Sequence, residues 1–161
     1  MFYEGVFKKL DQEQVEYVVV GGVALVLLGV IRLTADLDLF IELSETNLKK
    51  FIKVMAELGY KPKMPVSAED LTRPEKRRQW KEEKGMLVFS FYHPREPMHL
   101  IDIFVDEPIP YETVKRGKKI ATAKGIRVPV VSAEDLVRLK RISGRPQDLA
   151  DIAALEELNG E

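Results

Sequence analysis

Val18-Val19-Val20-Gly21-Gly22-Val23-Ala24-Leu25, followed by Arg32-Leu33-Thr34-Ala35-Asp36-Leu37-Asp38-Leu39-Phe40, decides how this chain reads. The second segment predicts a strand, and successive side chains of a strand point to opposite faces. Asp36 and Asp38 therefore share a face, while Leu37 and Leu39 share the other. Two anions on one face of an apolar strand repel each other and lose hydration, and a cation between them resolves both costs. Oxygen-only ligands on a fixed edge suit Mg²⁺, which takes one or two carboxylates and completes its shell with substrate phosphates. A solvated turn is the plain alternative for the same two acids.

The glycine pair supplies the other half of a site. Glu16 to Val20 predicts a buried strand and Val23 to Val30 a short apolar helix, so Gly21-Gly22 is a strand-to-helix turn without side chains. Its backbone N–H groups can approach a phosphate closely. Arg32 and Thr34 stand where a guanidinium and a hydroxyl can meet a phosphate, or else pin the loop. A third carboxylate, Asp102, interrupts the apolar run Leu100-Ile101-Asp102-Ile103-Phe104-Val105. An unpaired charge in such a strand is costly. The alternative is an aspartate at a strand edge in water.

Further out, Ser44 is placed to cap a helix carrying Leu48, Phe51, Ile52 and Met55, which stops at Gly59. Tyr60 to Lys63 is expected to pair briefly with the sheet. A polar helix is predicted from Ser67, broken by Pro74. Strands are predicted over 86–92 and 98–105, and a hairpin turns at Lys124-Gly125. Ser132 caps a helix near 133–143, and Pro146 opens a last helix to about Leu158. The fold class is α+β: a mixed twisted sheet with helices packed on it and a C-terminal helical hairpin. One domain is expected over 1–161, with a core of 1–131 and C-terminal helices over 132–161.

Composition narrows the function classes. At 161 residues and a net charge of −1, the chain has no global attraction to nucleic acid or anionic lipid. No apolar run reaches the ~20 residues of a membrane span, and the first residues lack a basic leader, so a cytoplasmic protein is expected. Cysteine is absent, which excludes disulfides and thiolate metal sites. His93 and His99 are too few for a zinc site. The stretch Arg73–Lys84 carries six basic residues, three glutamates and Trp80. It can be read as an RNA-stacking surface or, with more weight, as a solvated helix anchored by its tryptophan. Lys115-Arg116-Gly117-Lys118-Lys119 is read as surface.

These motifs resemble the DNA polymerase β-like nucleotidyltransferase superfamily, whose signature is an apolar strand, a glycine pair, a short helix and then apolar-Asp-apolar-Asp-apolar. The nearer likeness is to its small prokaryotic branch of AbiEii-like and lincosamide nucleotidyltransferase-like proteins. Gly21-Gly22-x-Ala24-Leu25, Arg32-x-Thr34-x-Asp36-x-Asp38 and Lys140 … Arg145-x-x-Asp148-Leu149-x-Asp151 carry it. The stretch 62–84 matches no motif of that branch.

The resemblance implies a polymerase β-like core and transfer of an NMP from an NTP to an acceptor hydroxyl. It implies that Asp36, Asp38 and Asp102 converge on two Mg²⁺, with Mn²⁺ as a substitute, and that Asp102 accepts the hydroxyl proton. Gly21 and Gly22 would hold the β- and γ-phosphates. Lys140 and Arg145 would meet the nucleotide, with Asp148 and Asp151 bracing them; a solvated salt-bridge network is the structural alternative. Partners implied are an NTP and an unidentified acceptor such as a tRNA end, a protein or a drug hydroxyl. An antitoxin joins them in the toxin-like branch. One departure stands out: many relatives carry a hydroxyl residue just after the first glycine or after the pair, where this chain has Gly22 and Val23. A non-catalytic nucleotide-binding or protein-interaction module is therefore the competing reading, and metal-dependent phosphoester hydrolysis a third.

Overall fold

Tyr17–Val20 (β1) is an unbroken apolar run buried along its whole length, as an interior strand must be. It is flanked by Glu4–Gln12 (α1), Gly21–Leu27 (α2) and Leu37–Ile41 (β2). The computed structural model describes residues 3–160. Next come Glu45–Glu57 (α3), the edge pair Lys61–Pro62 (β3), a 3-10 turn at Ala68–Thr72, Pro74–Lys84 (α4), Val88–His93 (β4) and Glu96–Phe104 (β5). Tyr111–Gly117 (α5), Lys119–Ala123 (β6), Ile126–Val130 (β7), Ala133–Ser143 (α6) and Pro146–Leu158 (α7) follow.

The strands form one mixed sheet in the order β3-β4-β5-β2-β1-β7-β6. β1 runs antiparallel to β2 and parallel to β7, while β2 runs parallel to β5. The two acid-bearing strands are therefore neighbours near the centre of the sheet. Burial is densest there: Val18, Leu37, Phe40, Ile41, Ile101 and Ile103 have no solvent contact. Each such side chain contributes about 1.5–3 kcal/mol by leaving water. The buried Asn47 of α3 fastens this centre. Its amide donates to the Glu16 and Glu42 carbonyls and accepts from the Glu16 N–H at 2.8 Å, clamping the chain just before β1 to the chain just after β2.

The α+β class, the Lys124-Gly125 hairpin, both serine caps and the C-terminal helix pair appear as expected. Ser44 Oγ accepts from Asn47 N–H and Ser132 Oγ from Asp135 N–H. Three local expectations change. The second helix starts at Gly21 itself, directly on the end of β1, because Gly21 makes the turn alone at φ +68°. Pro74 opens α4 instead of breaking a helix, since proline fits the first helical position where no N–H partner is lost. Tyr111–Gly117 is helical, where the sequence showed only a basic surface cluster; Tyr111 and Val114 are its buried anchors.

Candidate active site

Asp38 pairs in register with Val20 on β1 and with Asp102 on β5. Register partners on neighbouring strands share a face, so both carboxylates rise from the same side of the central sheet. Ser90 on β4 is the next residue across, opposite Asp102, and its hydroxyl donates to Asp102 Oδ1 at 2.6 Å. Asp36 stands one residue before β2, where its Oδ1 accepts the Leu100 N–H at 3.0 Å. The Tyr3 hydroxyl donates to the Ala35 carbonyl and lies 3.3 Å from the Leu100 carbonyl. The starts of the two acid-bearing segments are thus tied together by side chains as well as by the ladder.

Electrostatic strain marks this pair. Burial, and after it the charges of Asp102 and Asp36, push Asp38 up to about 7, against the pull of Lys140 and Arg145. Asp102 is also raised, chiefly by burial, with the Ser90 hydrogen bond opposing and the Asp36 charge adding. A divalent cation would favour the ionised form of both against that burial, so the donor set fits one. Among the described residues, no three acid, histidine or cysteine side chains are gathered into a ready metal cage. The gathered unit is the pair Asp38–Asp102, with Asp36 turned to the β5 backbone. Mg²⁺ commonly binds one or two carboxylates and leaves its other positions to water and phosphate.

The glycine pair is packed tightly against these residues. A Cβ on Gly21 would overlap Asp38 Oδ2, and one on Gly22 would stand 2.5 Å from Thr34 Oγ1 and 3.6 Å from Arg32 Nη1. Gly21 lines a cleft, whereas Gly22 is buried under Thr34 and Arg32. The two glycines therefore differ: the backbone of Gly21 faces the cleft directly, and Gly22 makes room for the loop.

The C-terminal helices close the cleft. Lys140 of α6 is only 6% exposed and places its Nζ 2.9 Å from Asp151 Oδ2 and 3.4 Å from Asp148 Oδ1. Arg32 reaches the same Asp151 oxygen at 2.7 Å, which pins the loop before β2 to α7. Arg145 caps α7, its Nε donating to Asp148 Oδ2 at 2.9 Å. Burial alone would raise the Asp148 carboxyl, but hydrogen bonds from Arg145 and Ser143 and the Lys140 charge hold it well below the ordinary range. Lys140, Asp148 and Asp151 form a buried centre to this network, while the Arg145 side chain stays exposed at its edge.

Between the sheet face and α6–α7 lies an open cleft of about 600 Å³. Gly21, Asp38, Asp102, Lys140, Arg145 and Asp148 line it. Arg32, Thr34, Asp36 and Asp151 do not contribute to that lining. Trp80 is 5% exposed and packs on Phe89 at 5.4 Å between ring centroids, so it anchors α4 and offers no face for a base. His93 packs edge-on against Tyr60, and His99 Nδ1 meets the Ala35 carbonyl at 3.1 Å. Ser90 and Tyr3 were not foreseen. Ser90 had a readable signal, since it interrupts the apolar strand Val88–His93 as Asp102 interrupts its own.

The family model described as "Nucleotidyl transferase of unknown function (DUF2204)" matches residues 2–161. No curated protein matches the sequence. Among solved structures, the fold is similar to that of the lincosamide antibiotic adenylyltransferase LnuA bound to lincomycin, at 17% identity, TM-score 0.58, covering 96% of this chain and 93% of that one. It is similar to ANT(2″)-Ia in complex with adenylyl-2″-tobramycin, at 14% identity, TM-score 0.61, 97% and 86% coverage. A nucleotidyltransferase candidate from Thermotoga maritima matches at 15% identity, TM-score 0.59, 99% and 92% coverage. At such identities the likeness concerns the fold alone.

Proposed function

This chain belongs to the DUF2204 nucleotidyl transferase family, and from that premise we propose that it moves an NMP from an NTP onto the hydroxyl of an acceptor, using Asp38 and Asp102 as ligands for divalent cations, with Asp36 joining them through the oxygen that the Leu100 N–H leaves free. The observation that carries this reading is the register pairing of Asp38 with Asp102 beside the bare backbone of Gly21, at the floor of one cleft. In the transfer, the acceptor oxygen bonds to the α-phosphorus, the α–β bridging bond breaks, and pyrophosphate departs. Two Mg²⁺, or Mn²⁺ in their place, would neutralise the triphosphate and acidify the acceptor hydroxyl.

The residues of the chain divide the remaining work. Asp102, with one oxygen engaged by Ser90, presents its other oxygen for the hydroxyl proton. Gly21 contributes backbone N–H to phosphate, and Arg145, on the cleft wall, contributes charge. Lys140 has its Nζ committed to Asp148 and Asp151, and so fixes α6 on α7. Arg32 acts through Asp151, holding the loop that carries Thr34 and Asp36.

The test is incubation of the protein with each of four α-labelled NTPs, Mg²⁺, and either a total tRNA pool or hydroxylated small molecules. Label on an acceptor supports the transferase. NTP-dependent thermal stabilisation without transfer would favour the non-catalytic module, which the lack of a hydroxyl beside Gly22 suggests. Phosphate or pyrophosphate release without an acceptor would indicate hydrolysis.

A further inference from the structure

The sheet order places the parts of the cleft in sequence. Moving outward from β1, Gly21 is followed by Asp38 on β2, Asp102 on β5 and Ser90 on β4. In-line displacement sets the incoming oxygen and the departing pyrophosphate on opposite sides of the phosphorus. If Gly21 faces the departing phosphates, the acceptor must come from the β5–β4 side. That side continues past Asp102 as an apolar floor: Phe104 shares the face of Asp102 and pairs in register with Val88. Leu87 and Ile142 border it and are 67% and 60% exposed.

We propose that this floor beyond Asp102, built by Phe104 and Val88 and bordered by Leu87 and Ile142, is the acceptor subsite, and that it takes a small neutral or cationic alcohol with an apolar face in preference to an RNA end. The inference rests on the transferase reading and deepens it. Charge selects the class. Once Asp38 and Asp102 are given to the divalent cations, the cleft lining carries three carboxylates, Asp106, Glu107 and Asp148, against three cations. All three cations are already paired, Lys81 with Asp106 at 2.6 Å and Lys140 and Arg145 with Asp148. A polynucleotide needs free cations along its track, and none of these three is unpaired. A volume of about 600 Å³ shared with a nucleotide suits a small molecule.

The full-length protein is titrated with N-phenyl-1-naphthylamine, a neutral apolar fluorophore, with and without Mg²⁺-ATP. The same titration is run on L87K and I142K, whose sites are exposed enough to leave the core intact, and on L149K as an exposed position outside the cleft. In parallel, α-labelled ATP is offered with octyl β-glucoside, glucose or total tRNA. The expected result is dye binding that survives Mg²⁺-ATP, weakens at least tenfold in L87K and I142K, and is unchanged in L149K. Label is expected on the octyl glucoside ahead of glucose and tRNA. Dye binding that ignores L87K and I142K, dye displaced by Mg²⁺-ATP, or tRNA labelled at a rate L87K does not alter would each overturn the proposal. Failure of the transferase reading looks different: no acceptor is labelled and ATP does not stabilise the protein, while the dye still responds to L87K.

Discussion

Asp38 and Asp102 are register partners on two parallel neighbouring strands, although 64 residues of chain separate them. The ladder alone sets their spacing. Two further fasteners hold the same junction: the Leu100 N–H on Asp36 and the Ser90 hydroxyl on Asp102. A rigid arrangement of like charges is unfavourable by itself and would favour a cation placed between them, with little reorganisation left to be done.

Asp38→Asn removes a charge and almost no volume. Transfer should fall by roughly a thousandfold or more if the carboxylate holds a cation at the reacting phosphate, a loss of about 4 kcal/mol in transition-state stabilisation. The fold should persist, since the strand packing and the Val20 pairing are untouched. Transfer of α-labelled NMP, measured beside far-ultraviolet circular dichroism, checks both halves. Mg²⁺-dependent activity retained in this variant would refute the metal assignment.

The raised Asp38 carboxyl makes stability pH-dependent. In the metal-free folded protein this group keeps its proton until about pH 7, whereas in the unfolded chain it ionises near pH 4. Between those values the unfolded state binds fewer protons, so stability falls as pH rises from about 4 to 7. The melting temperature of metal-free protein should therefore decline across that window, and Asp38→Asn should flatten the slope. Saturating Mg²⁺ should flatten it as well, by stabilising the ionised form at the upper end. An unchanged slope in the variant would place the titration elsewhere.

Much of this was legible in the sequence because it is local. Ser44, Ser132 and Pro146 announce their structures within a few residues and form as read, whereas the helix after β1 starts at Gly21 itself and Asp36 stands one residue before β2. Asp102 was legible by its cost, as a charge among apolar strand residues. What stayed hidden depends on pairing across the chain. Arg32 and Asp151 are 119 residues apart, and nothing in either neighbourhood says that one will hold the other. The burial of Lys140 was equally hidden, because a lysine near a helix end is usually solvated. The helix at Tyr111–Gly117 is too short and too basic to show an apolar period.

Lys140→Met tests that hidden network. Removing one partner of a buried ion cluster leaves the remaining charges unpaired, which costs about 3–5 kcal/mol in other proteins. Asp148 and Asp151 are both buried, so a loss of that order is expected in urea unfolding. Lys49→Ala, at an exposed pair with Glu45 2.9 Å away, should cost no more than about 1 kcal/mol. Equal effects in the two variants would mean that Lys140 is hydrated in solution.

Gly21→Ala separates backbone strain from site geometry. Any non-glycine residue at φ +68° pays about 1–2 kcal/mol for the left-handed conformation. Gly125→Ala meets the same strain at φ +77° in a hairpin with open space around it, so the two variants should lose comparable stability from this source. At Gly21 the new methyl must also displace the Asp38 carboxylate that it would overlap. A shift of about 1 Å in a reacting group can cost a hundredfold in rate. Gly21→Ala should thus lose at least that much transfer activity, whereas Gly125→Ala keeps the wild-type rate. Thermal melts and initial rates on the two proteins give the comparison. If Gly21→Ala transfers as fast as Gly125→Ala, the carboxylate beside it is not where the phosphorus reacts.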